Sequence, residues 1–184
     1  MKVIKIVLVS AIIPMLFLII SCGGGKNNDG ETAEAHVQRG ISLAQVGEYD
    51  KAIEEYEKAL NKDPEFADAY SAWGLALNGL GKYEEAAEKF EEAAGINPNN
   101  AEYFSNWGLA LGNLDKHYQA IEKFEEAVKI NPRLAGVHAN LGLTYMKMGK
   151  KEEAKREFMA AMELFKKLRK DEDVKKIEEI LKDL

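Results

Sequence analysis

The chain is poor in the residues that site chemistry needs. It has one cysteine and three histidines in 184 residues. A lone cysteine excludes an intramolecular disulfide framework. Four prolines leave long stretches free to be helical. There is no basic excess: the formal net charge is −6, so nothing is available to neutralise a phosphate backbone, and no nucleic-acid partner is expected. No HExxH pair, no phosphate-cradling glycine loop ahead of a helix and no nucleophile elbow occurs. The chain therefore reads as a non-enzyme, with no catalytic residue, metal or cofactor. Its 46% hydrophobic and 30% charged content is the balance of a soluble, helix-rich domain.

Long hydrophobic runs are equally scarce, with a single instance. Met1 to Lys5 carries two lysines and no acid, and Ile6 to Ile20 is apolar apart from Ser10 and Pro14. A short basic start, an apolar stretch and then small residues make a secretory signal. At 15 residues the stretch is short for a bilayer-spanning helix, which needs about 20. Ile19-Ile20-Ser21-Cys22 resembles the lipobox of bacterial lipoproteins. That resemblance implies a signal peptide over 1–21 and lipidation of Cys22, with the chain held on a membrane of the bacterial cell envelope. Gly23 directly after the cysteine leans towards the outer membrane, facing the periplasm, with the outer leaflet of the inner membrane as the alternative. Loss of Lys2 and Lys5 with the signal leaves 23 basic against 31 acidic residues, so the lipid and not charge would hold the membrane. Residues 22–32 read as the lipidated cysteine and a tether rich in glycine and asparagine. Ten such residues span about 17 Å root-mean-square.

What the remainder has is a period. Ala67–Asn100 and Ala101–Leu134 are identical at 19 of 34 positions without a gap, and the frame extends to 33–66 and 135–168. The eighth position holds Gly40, Gly74, Gly108 and Gly142, and the twentieth Ala52, Ala86, Ala120 and Ala154. The twenty-fourth holds Tyr56, Phe90, Phe124 and Phe158, and the twenty-seventh Ala59, Ala93, Ala127 and Ala161. Pro64, Pro98 and Pro132 recur at the thirty-second. Small residues at three places let two helices approach, and the aromatic fills the space beside them. Asp63-Pro64, Asn97-Pro98 and Asn131-Pro132 end each second helix. Gly47, Gly81 and Gly149 break the chain between first and second helices. Asp115 stands in that place in the third repeat, where the turn is expected to differ slightly.

This spacing resembles the tetratricopeptide repeat over about three quarters of the chain. The fold expected is an all-α solenoid of four helix pairs with a C-terminal capping helix over 169–184. Lys166 replaces the proline of the fourth repeat, so its second helix is expected to run to about Arg169. Beyond it, Val174, Ile177, Leu181 and Leu184 form one apolar stripe that would cover the last repeat.

The resemblance implies that first helices line a concave groove. Position six supplies Gln38, Ala72, Asn106 and Asn140, and position nine Ile41, Leu75, Leu109 and Leu143. Positions twelve and thirteen add Asn78, Asn113, Met146 and Lys147. Side-chain amides donate and accept, which suits the backbone of an extended peptide, and the aliphatic row suits its apolar side chains. Val37, Ile41 and Glu102 depart from the lysine- and asparagine-rich variant that clamps a carboxylate. His36 and His138 are expected as packed imidazoles, Trp73 and Trp107 as core filling between the two helices of a repeat, and the recurring glutamate pairs as solvated faces. The function expected is a lipid-anchored scaffold or adaptor that captures a protein or extended peptide. Two alternatives stay open. One is a self-assembling module that forms a homo-oligomer. The other is an accessory subunit of an envelope enzyme or assembly machine for pili, outer-membrane proteins or protease regulation.

Overall fold

The computed structural model describes residues 30–184; the signal segment, Cys22 and most of the tether lie outside the described residues. Within them are nine α-helices and no strand. Four pairs follow one another: α1 (Ala33–Gln45) with α2 (Tyr49–Lys62), α3 (Ala67–Gly79) with α4 (Tyr83–Ile96), α5 (Ala101–Asn113) with α6 (His117–Ile130), and α7 (Ala135–Lys147) with α8 (Lys151–Lys167). The last helix, α9 (Asp171–Asp183), stands alone. Glu31–Leu184 form one compact unit that holds all five buried apolar clusters. No helix of the described residues is long and apolar enough to cross a membrane.

Each pair is locked by one contact. A Cβ added at Gly40 would sit 2.4 Å from the Tyr56 ring, and one at Gly74, Gly108 or Gly142 would sit 2.6–2.8 Å from Phe90, Phe124 or Phe158. The four rings are sealed, at 1% exposure or less. The alanines at positions twenty and twenty-seven have no exposed surface at all. The two helices thus approach until ring and backbone touch, a distance that only glycine permits.

First helices end in Schellman turns. In the first, Gly47 takes φ 81°, its N–H donates to the Ala44 carbonyl at 3.0 Å, and the Glu48 N–H donates to the Leu43 carbonyl at 3.0 Å. Gly81 and Gly149 repeat it at φ 76° and 73°. The third turn does not differ as expected. Asp115 itself adopts φ 57°, and the Lys116 N–H still reaches the Leu111 carbonyl at 3.0 Å. Aspartate tolerates the left-handed region better than most side chains, so the turn survives without glycine. Second helices end in Asx turns, in which Asp63, Asn97 and Asn131 accept from the N–H two residues on, at 3.1–3.3 Å. With no such turn in the fourth repeat, α8 runs to Lys167, stopping short of Arg169. Arg169, at φ 56°, forms a fifth left-handed turn there.

The two ends of the stack are finished differently. At the last repeat, α9 seats Val174 and Ile177 in a cluster with Ala135, Phe158 and Phe165. At the first, polar groups stand where interior repeats are aromatic. Interior repeats have Tyr70 with Trp73 and Phe104 with Trp107 at positions four and seven. Lys89 and Lys123, at position twenty-three, lie 4.5 and 4.3 Å above the two indole rings. In the first repeat the same three positions are His36, Arg39 and Glu55. His36 Nδ1 donates to the buried Glu55 carboxylate at 2.8 Å, and Arg39 bridges Glu55 at 3.1 Å and Glu31 at 2.6 Å. A terminal repeat has no neighbour to cover it, so a polar outer face keeps it soluble. Position twenty-three changes sign with position four: Glu157, opposite His138, accepts from its Nδ1 at 2.8 Å. The other ring nitrogen of His138 donates to the Pro132 carbonyl at 3.3 Å. Both histidines are packed and paired within the fold.

These pairs predict a pH dependence of stability. Burial pushes the Glu55 carboxyl up, but hydrogen bonds from His36 and Lys58 and the nearby Lys58 and Arg39 charges outweigh it, bringing it from its ordinary 4.5 to about 2. A depressed carboxylate contributes stability above its unfolded pKa and loses it as pH falls through the folded one. The hydrogen bond to Glu157 raises His138, against the effect of burial. Its contribution is therefore full below 6.5 and fades as pH rises through the higher folded value. The Glu55→Gln variant should trail wild type at pH 5 by on the order of 2–3 kcal/mol, at about 1.36 kcal/mol per pKa unit. Urea unfolding should show that gap closing as pH falls towards 2; a gap independent of pH would contradict the assignment.

Candidate functional site

The sequence-predicted groove residues all lie on first helices, and the packing shows which side those helices occupy. The first helices of neighbouring repeats touch (α1 with α3, α3 with α5, α5 with α7), whereas no contact joins α2 to α4, α4 to α6 or α6 to α8. A ribbon whose first helices crowd and whose second helices spread is curved, with the first helices inside. Successive repeats therefore present one position along a single inner wall.

On that wall, Gln38 and Asn113 are exposed, and Ile41, Asn78, Asn106, Leu109, Asn140 and Leu143 are half-buried. Leu75 is 44% exposed and Met146 38%. One edge of the aliphatic row is in the core: Ile41 packs on the first cluster, Leu109 on the third repeat and Leu143 on the last. The other edge faces out. The Asn78 Oδ1 atom is buried without a hydrogen-bond partner in the fold, which leaves an acceptor unused beside Leu75. Asn140 spends its backbone carbonyl on the Thr144 hydroxyl at 2.8 Å, and its side chain stays available. Val37, at position five, does not line the wall, because it is 4% exposed and packed in the first cluster. Neighbouring repeats are joined beside this wall by the Tyr103 hydroxyl donating to the Asp68 carboxylate. Burial, then the hydrogen bond to Asp68 and its charge, push the phenol up.

The outer side carries a second concavity, which sequence reasoning missed. A cleft of about 390 Å³ opens between α4 and α6. Trp107 and Leu111 of α5, with Leu114 just after it, form its floor; Glu84, Glu88 and Glu91 stand along its α4 rim, and Lys116, Gln119, Glu122 and Lys123 along the α6 side. Trp107 is therefore more than a filler between the helices of its own repeat. It packs across the boundary with the second repeat and remains half-exposed in the cleft. The signal was in the period: positions eighteen, twenty-two and twenty-five fall on one face of each second helix. They read Asp50, Glu54, Glu57 and then Glu84, Glu88, Glu91, changing to Glu152, Arg156 and Met159 in the fourth repeat.

Neither surface assembles a group of three or more histidine, cysteine or carboxylate side chains able to hold a metal, among the described residues. Both are surfaces for contact, one lined by amides and aliphatics, the other by four carboxylates and two lysines around an indole.

Solved structures share this arrangement. A crystal structure of MamA is 27% identical and superposes with a TM-score of 0.70, over 75% of this chain and 81% of that one. MamA 41-end from Desulfovibrio magneticus RS-1 is likewise 27% identical, with a TM-score of 0.68 over 73% and 76% of the two chains. MamA AMB-1 is 30% identical in one crystal form, with a TM-score of 0.61 over 72% and 78%. No curated protein sequence matches the chain. The family model for the N-terminal TPR repeats region of Psidin matches residues 42–174. Four glycine-locked helix pairs, a shared inner wall and this match agree: the chain belongs to the tetratricopeptide-repeat family, whose fold is a scaffold for protein interactions.

Proposed function

We propose that this scaffold captures an extended peptide on its inner wall while a lipid at Cys22 holds it on a membrane of the bacterial cell envelope. The observation that carries the capture is the Asn78 Oδ1 atom, which has no hydrogen-bond partner among the described residues and lies on the wall beside half-exposed Leu75, in line with Leu109 and Leu143 of the next two repeats. A buried acceptor without a partner costs about 1–3 kcal/mol, which a peptide N–H would relieve. Asn106 and Asn140, at position six of the next two repeats, add amides in a second row on the same wall. The anchoring is supported by Ile19-Ile20-Ser21-Cys22 and by the basic and apolar stretch before it. Two acyl chains or more hold stably where one does not, and the short tether would keep the scaffold close to the surface. Recruitment and non-catalytic display, on the outer or the inner membrane, follow from this placement.

Two measurements check the reading. Each amide to a peptide backbone is worth about 0.5–1.5 kcal/mol net. The Asn106→Ala/Asn140→Ala double variant should therefore bind the partner roughly 5- to 150-fold more weakly, at about 1.4 kcal/mol per decade. Its melting temperature should stay within a few degrees of wild type, because both side chains are only half-buried and make no hydrogen bond among the described residues. Unchanged binding would move the partner off the inner wall. For the anchor, metabolic labelling with a palmitate analogue should tag wild type and not Cys22→Ser; equal labelling of both would contradict lipidation at that residue.

A further inference from the structure

The cleft between α4 and α6 has an unbalanced charge. Glu84, Glu88 and Glu91 are exposed, and none of the ion pairs among the described residues engages them. They recur at i, i+4 and i+7 on one face of α4, so each carboxylate repels the next. The only basic residue of that helix, Lys89, is spent over the Trp73 and Tyr70 rings. The facing α6 side brings Lys116, Gln119, Glu122 and Lys123 to the cleft. Lys123 is held by Glu122 and the Trp107 ring. Among the described residues the three glutamates therefore face one further lysine, Lys116, and the floor beneath them is Trp107, Leu111 and Leu114. The chemistry that fits is an aliphatic side chain flanked by cations.

The same chain presents that chemistry elsewhere. The end of α8 and the turn that follows it read Lys166-Lys167-Leu168-Arg169-Lys170. Leu168 is 57% exposed at its centre. Lys166 and Lys167 are paired with Glu178 at 3.9 Å and Glu163 at 2.7 Å. Arg169 and Lys170 are exposed and engaged in no ion pair among the described residues, although Lys170 lies 5.9 Å above the Phe165 ring. Arg169 is held at φ 56°, which pins the turn as a knob. No contact joins α4 or α6 to α8 or α9, so the basic turn does not reach the cleft of its own chain.

We propose that the Lys166–Lys170 turn of one copy docks in the α4–α6 cleft of a second copy. Leu168 lies against Trp107 and Leu114, and Arg169 and Lys170 meet Glu84, Glu88 and Glu91. The two surfaces lie on different parts of the chain, so the contact is head-to-tail and propagates into a ring or a filament. It leaves the inner wall free, and a failure of peptide capture there would not affect it.

The folded unit Glu31–Leu184 carries its own core and serves for the test. Sedimentation velocity over a range of concentration should show oligomers at low ionic strength. One molar salt shortens the Debye length to about 3 Å and should weaken the association at least ten-fold. Glu88→Lys/Glu91→Lys should be monomeric under the same conditions, and so should Arg169→Glu/Lys170→Glu, each with a melting temperature near wild type. Mixing the two variants should restore assembly, because each then supplies what the other lacks. That rescue separates docking from any loss of folding. A wild-type unit that stays monomeric at every concentration would overturn the proposal, as would reversal variants that assemble like wild type or a mixture that fails to recover. A monomer whose basic turn instead sediments with anionic phospholipid vesicles would also overturn it and assign the knob to a lipid surface.

Discussion

The structure depends on a ring pressed against a backbone. In each repeat the aromatic at position twenty-four reaches the glycine at position eight so closely that even a methyl group would overlap it. Ridge-into-groove packing fixes crossing geometry through the side chains at the contact. When the same contact recurs every 34 residues, the same geometry recurs with it. Glycine inside a helix costs roughly 0.5–1 kcal/mol relative to alanine. That cost is borne four times because a wider pair would no longer stack on its neighbours.

From that contact both surfaces follow. Four equal pairs, stacked with their first helices crowded together, give an inner wall where one position reappears in register. That is why three amides or four aliphatics from distant parts of the chain form rows. The second helices splay on the outside, and between them the indole of Trp107 is left partly open. The carboxylates along α4 then face a cleft and not bulk solvent alone. The ends of the stack follow from the same logic in reverse. At the first repeat, the pocket that takes an indole elsewhere is filled by Arg39, His36 and Glu55 in mutual contact. At the last, apolar residues on α9 close it.

Much of this was legible in the residues. The period, the glycine and aromatic partners, the turn glycines and the proline stops are local signals repeated several times, and repetition makes a local signal unambiguous. The inner-wall positions came through the family resemblance. What escaped needed three dimensions. Asp115 looked like a departure, yet its backbone copies the glycine turns, because the hydrogen bonds of a Schellman turn belong to the chain and ask only for a residue that tolerates positive φ. Trp107 looked like filler within its own repeat, but its other face belongs to the boundary with the preceding one. The glutamates of α4 looked like a solvated face, and only the spacing of α4 from α6 turns them into a rim. The exchange of lysine for glutamate at position twenty-three was visible in the sequence. Its meaning lay in which side chains, indole or imidazole, stood across from it.

The ring-and-glycine contact can be isolated by a double-mutant cycle at Gly108 and Phe124. An added Cβ at Gly108 would lie 2.6 Å from the ring. Overpacking of that kind costs about 1–3 kcal/mol, against a helix-propensity gain of up to about 1 kcal/mol from glycine to alanine. Unfolding free energies of wild type, Gly108→Ala, Phe124→Leu and the double variant decide between them. If the ring is what demands the glycine, Gly108→Ala destabilises the wild type clearly but is neutral or stabilising once Phe124 is leucine. If Gly108→Ala costs the same in both backgrounds, the contact does not set the distance between the helices, and the account of the fold fails at its base.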